Sequence, residues 1–198
     1  MIKFLDINKS IPYKLFSEHY NNALNNKQKA LDAICISSYN IDSSEVDSRY
    51  VNLKYIKDSE WIFFSNYNSS KAQAFTKHKQ ISAIIFWESI NVQIRIKANL
   101  IKTDSSFSDQ HFNNRSKEKN SLAISSEQSS PINTFEEVER NYLDVLNSNK
   151  NYKRPDYWGG YSFTPFYFEF WEGHASRLNK RDVYQINGNN WQHCFLQP

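Results

Sequence analysis

Residues 160–171, GYSFTPFYFEFW, give the clearest structural pattern in this chain. Phe166, Phe168 and Phe170 recur at every second position, which is the spacing of side chains on one face of a β-strand. Trp171 continues the alternation on the opposite face. An apolar face of this kind belongs more often to a protein core than to a cofactor site, so the stretch first of all predicts a β-rich fold.

Strand patterns also occur on both sides of this stretch. Val92, Ile94 and Ile96 alternate cleanly with polar residues, and Asn187–Gly188 is typical of a hairpin turn. The other predicted strands are ALDAICISSYN (30–40), SRYVNLKYI (48–56), EWIFFSN (60–66), ISAIIFW (81–87), NVQIRIKANLIK (91–102), DVYQI (182–186) and NWQHCFL (190–196).

Helix patterns are fewer. Ser69 is an N-cap candidate, and Thr134 with Glu137 forms a capping-box pattern. The predicted helices are SIPYKLFSEHYNNALNN (10–26), SSKAQAFTKHK (69–79), residues 107–114 and NTFEEVERNYLDVLN (133–147). The polar remainder of residues 104–130 is expected to be flexible.

Strands and helices do not alternate one for one, which argues against a doubly wound parallel sheet. The order predicts a mainly β, antiparallel barrel with helices packed outside. We expect one domain over residues 1–198, with an N-terminal helical segment (1–28) and a helical or flexible insertion (104–150).

Composition excludes several classes of protein. Aromatic residues make up 16% of the chain and charged residues 23%, so the chain is expected to fold. It contains neither a signal-peptide pattern nor a membrane-length apolar run, which predicts a cytoplasmic protein without membrane contact. The net charge of +3 is too small to indicate nucleic-acid binding. Cys35 and Cys194 lack metal-ligand spacing, and we expect free thiols and no metal.

Four polar clusters interrupt the apolar pattern. With four glycines in the chain and no glycine-rich loop, any phosphate would have to be held by side chains. Arg49 and Lys54 fall on opposite faces of one predicted strand and suit either a solvated edge or a composite cleft. Ser65, Ser69 and Lys71 surround a helix start, which suits either an anion or a plain N-cap.

The other clusters are also open to two interpretations. Gln93 can donate to and accept from the edge of a ring. His111, Arg115 and Lys119 are spaced by four and would share one face of a helix, which suits a phosphate dianion or a solvated surface. Arg177, together with Arg181 after the turn at Gly173, can stack on a ring or hold an anion.

The motifs RYVNLK, FFSNYNSSKA, NVQIRI, NNRS, SEQSS, YWGGYSF, EFWEG and RLNKR occur in an order that resembles the pyridoxamine 5'-phosphate oxidase family. The resemblance runs from about residue 10 to the C-terminus. It implies an FMN-binding split β-barrel that works as a homodimer with FMN at the subunit interface. It also implies oxidation of pyridoxamine or pyridoxine 5'-phosphate to pyridoxal 5'-phosphate, with O2 reduced to hydrogen peroxide.

The resemblance also assigns residues by position. Arg177 and Asn179 correspond to the catalytic positions. The implied FMN contacts are Arg49, Tyr50, Val51, Lys54, Ser65, Lys71, Gln93, Gln128, Ser129, Trp171 and Arg181. The implied contacts to the small phosphorylated aromatic substrate are Lys54, His111, Arg115, Lys119, Arg177 and Asn179.

The chain departs from the family pattern mainly on the substrate side. The family usually has Tyr at the position of His111, Ser at Lys119 and His at Asn179. It also has Arg at Ser70 and Asp at Lys180. The departures keep two alternatives open: a related FMN oxidase acting on another aromatic substrate, as in the phenazine-forming branch, and a flavin-binding protein without oxidase turnover.

Overall fold

The computed structural model describes residues 1–148 and 153–198. The strands are Lys3–Phe4 (β1), Ala33–Asn40 (β2), Glu45–Asn52 (β3), Tyr55–Lys57 (β4), Glu60–Asn66 (β5), Gln80–Trp87 (β6), Val92–Lys102 (β7), Trp158–Glu172 (β8), Lys180–Asn187 (β9) and Asn190–Leu196 (β10). The α-helices are Ile11–Asn25 (α1), Ser70–Lys77 (α2), Ser105–Asn113 (α3), Lys117–Ser125 (α4) and Phe135–Asn147 (α5).

The long strand β8 organises the sheet. It pairs with β7 along one edge, while β5 and then β9 share the other edge. The strand order is β1-β4-β5-β8-β7-β6-β2-β3, with the β9–β10 hairpin branching from β8. The sheet curls without closing, so the predicted mainly β, split-barrel fold is confirmed. One pair departs from the antiparallel prediction, because β1 and β4 are parallel.

A β-bulge in β8 keeps its aromatic side chains in the core. The register with β7 shifts between Lys97 and Ala98, which face Tyr167 and Pro165 and leave Phe166 without an opposite residue. The inward positions therefore change from odd-numbered residues before the bulge to even-numbered residues after it.

The barrel core is unusually rich in aromatic rings. Phe163, Phe168 and Phe170 are at most 1% exposed, and Trp61 is completely buried. Helix α1 covers this side of the sheet, with the ring of Phe16 at 4.3 Å from that of Trp61. Each such side chain contributes about 1.5–3 kcal/mol by burial, so the α1 contact holds the N-terminal part of the chain against the barrel.

The prediction of one strand over residues 48–56 is wrong. The chain leaves β3 after Asn52 and changes its partner strand from β2 to β5. At the change, Leu53 is completely buried and its N–H donates to the carbonyl of Asp32 at 2.7 Å. This break places Lys54 between two strands.

The predicted helices are all present, and the expected flexible stretch is also largely helical. Helix α4 has no amphipathic pattern that would reveal it in the sequence. Contacts from outside the helix hold it: the Asn120 amide donates to the Phe112 carbonyl at 2.9 Å. Residues 149–150, the end of the predicted insertion, lie outside the described residues.

The two N-cap candidates, Ser69 and Thr134, each directly precede a helix, whereas α3 begins two residues before its predicted start. Thr134 Oγ1 accepts from the Glu137 N–H, as the capping-box pattern predicts. Ser69 precedes α2, but its hydroxyl donates to the Asn66 carbonyl instead of capping the helix. Among the described residues, no helix is long and apolar enough to span a membrane.

Candidate functional site

A cleft of about 320 Å³ opens where β3, β5 and α2 approach α3 and α4. It brings together most of the FMN and substrate positions assigned from the sequence. Its lining residues are Tyr50, Val51, Asn52, Lys54, Phe64, Ser65, Lys71, His111, Arg115, Lys119, Gln128 and Trp158. Cations therefore dominate its charge.

Lys71 lies deepest among these cations. Its side chain comes from the first turn of α2 and is 7% exposed. Among the described residues its ammonium has one hydrogen-bond partner, Ser69 Oγ at 3.1 Å. Burial, followed by the nearby charge of Arg49, lowers the pKa of Lys71 to about 8. A buried ammonium with so few partners fits an anion such as a phosphate group.

Stacked rings form the apolar wall of the cleft. The His111 ring lies 3.7 Å from the Phe64 ring, with an angle of 12° between their planes. Trp158 continues this stack beside Phe64, with ring centroids 5.4 Å apart. The guanidinium of Arg115 lies 4.4 Å from the Trp158 ring centroid. The wall can therefore hold a flat ring, with cations at its edge.

His111 is a neutral member of this group at pH 7. Burial is the main reason that its pKa falls to about 4, and the charges of Arg115, Lys54 and Lys3 add to the effect. Its Nδ1 lies 2.9 Å from the Tyr55 hydroxyl. When that hydroxyl donates, Nε2 carries the ring proton and is the remaining donor.

The prediction that His111, Arg115 and Lys119 share one helix face is wrong, because α3 ends at Asn113 and α4 begins at Lys117. All three side chains nevertheless line the cleft. The break leaves Arg115 in the connecting turn, where its Nη2 donates to the Lys119 carbonyl at 3.0 Å. Its Nη1 is buried and has no hydrogen-bond partner among the described residues.

Lys54 and Gln128 close other sides of the cleft. The Lys54 ammonium lies 2.8 Å from a carboxylate oxygen of Asp32 and is therefore already paired within the chain. Gln128 reaches across from the segment after α4, where its Oε1 accepts from Ser65 Oγ and the Asn66 N–H, both at 3.3 Å.

Five assigned FMN positions do not line the cleft, and Arg49 and Ser129 are two of them. The guanidinium of Arg49 donates to Ser38 Oγ at 2.7 Å and forms an ion pair with Asp47. Ser129 is exposed and has a left-handed backbone with φ of 76°. Arg49 is still close enough to Lys71 to affect its pKa.

A second group of assigned residues lies elsewhere on the sheet. Gln93 on β7 is opposite Trp171 on β8, which is opposite Arg181 on β9. We call these three residues the cross-strand row. They do not line the cleft described above.

Arg177 and Asn179 occupy the loop between β8 and β9. Arg177 is exposed and has a φ of 64°. Asn179 Oδ1 accepts from the His174 N–H at 3.0 Å, and the Asn179 N–H donates to the Arg177 carbonyl at 2.8 Å. The Asn179 side chain thus closes the loop that presents Arg177.

Sequence reasoning missed several residues of this site. Phe64 and Trp158 were interpreted as core or motif residues. Each nevertheless lies at or beside the end of a predicted strand, next to polar residues. Gly159, directly after Trp158, was a sequence signal of close packing at this point. In the structure, a Cβ at Gly159 would lie 2.2 Å from the Tyr67 hydroxyl.

The residues present fit an FMN group on two structural grounds. The buried ammonium of Lys71, with one hydrogen-bond partner among the described residues, is a donor suited to phosphate oxygens. The amide of Gln128 and the flat wall suit the polar edge and the face of a ring.

Comparison with known proteins agrees with the sequence resemblance. Residues 158–198 match the family model described as the pyridoxine 5'-phosphate oxidase C-terminal dimerisation region. Pyridoxine/pyridoxamine 5'-phosphate oxidase 1 of Hydrogenovibrio crunogenus is 32% identical over 191 residues, covering 94% of this chain and 88% of the relative. The corresponding oxidase of Leptospira biflexa is 32% identical and covers 94% and 89% of the two chains.

Solved structures share the fold. PhzG from Burkholderia lata 383, in complex with tetrahydrophenazine-1-carboxylic acid, aligns with a TM-score of 0.90 at 25% identity over 96% of this chain and 93% of PhzG. A pyridoxamine 5'-phosphate oxidase-related, FMN-binding protein from Nostoc punctiforme aligns with a TM-score of 0.76 at 11% identity over 96% and 99% of the two chains. The curated relatives, at 32% identity over 94% of this chain, show that the chain is an oxidoreductase that belongs to the pyridoxine/pyridoxamine 5'-phosphate oxidase family.

Proposed function

We propose that this protein is an FMN-dependent oxidase that converts pyridoxamine or pyridoxine 5'-phosphate to pyridoxal 5'-phosphate. The observation that carries the proposal is the cleft itself, in which a buried, poorly partnered Lys71 lies near a wall of stacked rings edged by further cations. FMN, when bound, would accept two electrons from the substrate and pass them to O2, giving hydrogen peroxide.

In this proposal Lys71, Arg49 and Ser129 would hold the FMN phosphate. Gln128, Ser65, Tyr50 and Val51 contact the flavin from the same chain. The residues of the cross-strand row, Gln93, Trp171 and Arg181, contact it from a second copy. The separation of the two groups on one chain supports a homodimer with FMN at the interface, as does the match of residues 158–198 to a dimerisation region.

The substrate phosphate is assigned to Lys54, Arg115 and Lys119, with His111 as a neutral donor. Lys54 must then exchange its bond to Asp32 for one to the substrate. The loop that carries Arg177 and Asn179 covers the substrate ring from the second copy. Holding the reacting carbon against the flavin in this way is the protein's main contribution to rate.

A second candidate substrate is another anionic aromatic compound, of the kind bound to PhzG. The likeness to that structure over nearly the whole chain supports it. Lys119 in the cleft supports it as well, because an added ammonium can hold a carboxylate as readily as a phosphate.

Purified protein supplied with FMN, pyridoxamine 5'-phosphate and O2 tests the proposal. We expect pyridoxal 5'-phosphate and hydrogen peroxide to form in equal amounts. Lys71→Met is the matched loss-of-binding variant, and it should purify without flavin. Bound FMN with turnover only of a phenazine-type carboxylate would favour the second candidate. Bound FMN without turnover of either substrate would favour a flavin-binding protein without oxidase activity.

A further inference from the structure

Glu169 is a buried carboxylate on β8 whose side chain is 2% exposed. It lies between two arginines from neighbouring strands. Its Oε1 is 2.8 Å from both Nε and Nη2 of Arg181, and its Oε2 accepts from Arg95 Nη1 at 2.8 Å. The Tyr167 hydroxyl also donates to Oε2, at 2.9 Å. Each carboxylate oxygen is therefore engaged by two donor atoms.

Stability alone does not explain such a group. Removing a carboxylate from water costs several kcal/mol, and a buried ion pair on average contributes little net stability compared with apolar residues of the same volume. The arrangement instead fixes the orientation of the guanidinium, because a carboxylate that binds one edge of this planar group restricts its rotation.

Because Glu169 occupies one edge of the Arg181 guanidinium, only the other N–H donors of that group are available to a ligand. Nε and Nη2 face Glu169, and Nη1 donates to the Gln197 carbonyl at 3.2 Å. The second hydrogens of Nη1 and Nη2, at the end of the guanidinium, are left for a ligand. Register pairs Arg181 with Trp171 across the two strands, so the two residues are neighbours on one face of the sheet.

We propose that Glu169 is a positioning residue for FMN binding, which fixes the guanidinium of Arg181 so that its free end meets the flavin. The inference rests on the proposed function, since it takes the cross-strand row to be one wall of the flavin site. Arg95 supplies the matched control: it contacts the same carboxylate, is 43% exposed, and is not assigned to any ligand.

The experiment titrates flavin-free protein with FMN and follows the quenching of flavin fluorescence. We expect Arg181→Gln and Glu169→Gln each to raise the FMN Kd about tenfold, and the double variant to be no worse than either single variant. Arg95→Gln should change the Kd by less than about twofold, because the Glu169–Arg181 pair persists.

A merely structural role for Glu169 would give a different pattern. It would lower the melting temperature without FMN while leaving the Kd near that of the wild type, or make the two substitutions additive; either result overturns the inference. If Glu169→Gln does not fold, Glu169→Asp carries the test, since it keeps the charge but withdraws it from Arg181. Wild-type protein that takes up no FMN would instead refute the proposed function.

Discussion

His111 shows how one substitution changes the electrostatics of the cleft. Its ring lies against Phe64, and burial lowers its pKa from 6.5 to about 4. The folded protein therefore prefers the neutral ring, while the unfolded chain takes up a proton below pH 6.5. The stabilising contribution is complete above pH 6.5 and is lost as the pH falls toward 4.

We predict that His111→Tyr makes the melting temperature less sensitive to acid. The tyrosine keeps a flat ring and a donor but takes up no proton between pH 7 and pH 4. Thermal unfolding at pH 7.5, 6 and 5 measures the effect. The pKa of His19 is also lowered by burial, but His19 is present in both proteins. Parallel pH dependences for the two proteins would contradict the prediction.

Lys71 gives a prediction for ligand affinity. Because its pKa is about 8, the free protein begins to lose this charge just above neutral pH. The proposed FMN affinity should fall as the pH rises above 8, by up to about tenfold per unit. Lys71→Arg keeps its proton throughout this range and should flatten the dependence, even if its affinity at pH 7 is lower. FMN titrations between pH 6.5 and 9.5 provide the measurement.

For single residues, the sequence predicted a place in the site only where a recognisable motif contains the residue. Lys71, Gln128 and Arg115 could be assigned because their motifs are specific, and the structure brings them to one cleft. Glu169 could not be found in this way, since its importance lies in two partners on other strands. Trp158 was hidden for a related reason: a buried aromatic residue looks the same in a core and in the wall of a site.

Among the structural elements, the loop between β8 and β9 depends on one side chain. Asn179 Oδ1 holds the His174 N–H, and Arg177 lies between them in a left-handed conformation. Asn179→Leu removes the acceptor, whereas Asn179→Asp retains it. We predict faster exchange of the His174 amide hydrogen in the leucine variant than in the aspartate variant.

The same two variants should differ in activity. With the loop loosened, Arg177 must be ordered again in each turnover, and we expect kcat/KM to fall by about tenfold in Asn179→Leu. Equal amide exchange in wild type and leucine variant would show that other contacts hold the loop. Slow exchange together with low activity in Asn179→Asp would instead indicate that the amide nitrogen contacts the substrate directly.

Helix α4 is a structural element that the sequence pattern did not predict. Its sequence, KEKNSLAIS, has neither an apolar stripe nor a strong cap, so its polarity indicated a flexible stretch. The helix depends on contacts made by Asn120 and Arg115 across the α3–α4 break. By contrast, α5 was predictable from its periodicity and from Thr134, which caps it locally.

On a single chain, the two halves of the proposed site do not share one cleft. The cleft contains Lys71, while Arg181 belongs to the cross-strand row. If one flavin touches both in a dimer, Lys71→Met and Arg181→Gln damage opposite halves of each site. A mixed dimer then holds one site with both changes and one site with neither.

We therefore predict complementation between the two variants, assayed at an FMN concentration too low to load either variant on its own. When the variants are co-expressed and pair at random, about half of the dimers are mixed, and about a quarter of wild-type activity should return. Each variant expressed alone is the control. Activity no higher than the mean of the two controls would place the whole site within one chain.

The overall architecture was largely predictable because alternation and turn chemistry are local. The β9–β10 hairpin followed from Asn187–Gly188, and the central strands from their apolar faces. The partner exchange at Leu53 and the bulge at Phe166 were not, since both arise from how distant strands meet.

The separation of the cleft from the cross-strand row has a consequence for the protein at low abundance. A ligand that bridges two copies binds the pair and not the single chain, so its affinity follows the law of mass action for both components. Diluting the protein should therefore release flavin, and adding flavin should draw single chains together. The amount of active enzyme would then rise more steeply than the amount of protein made.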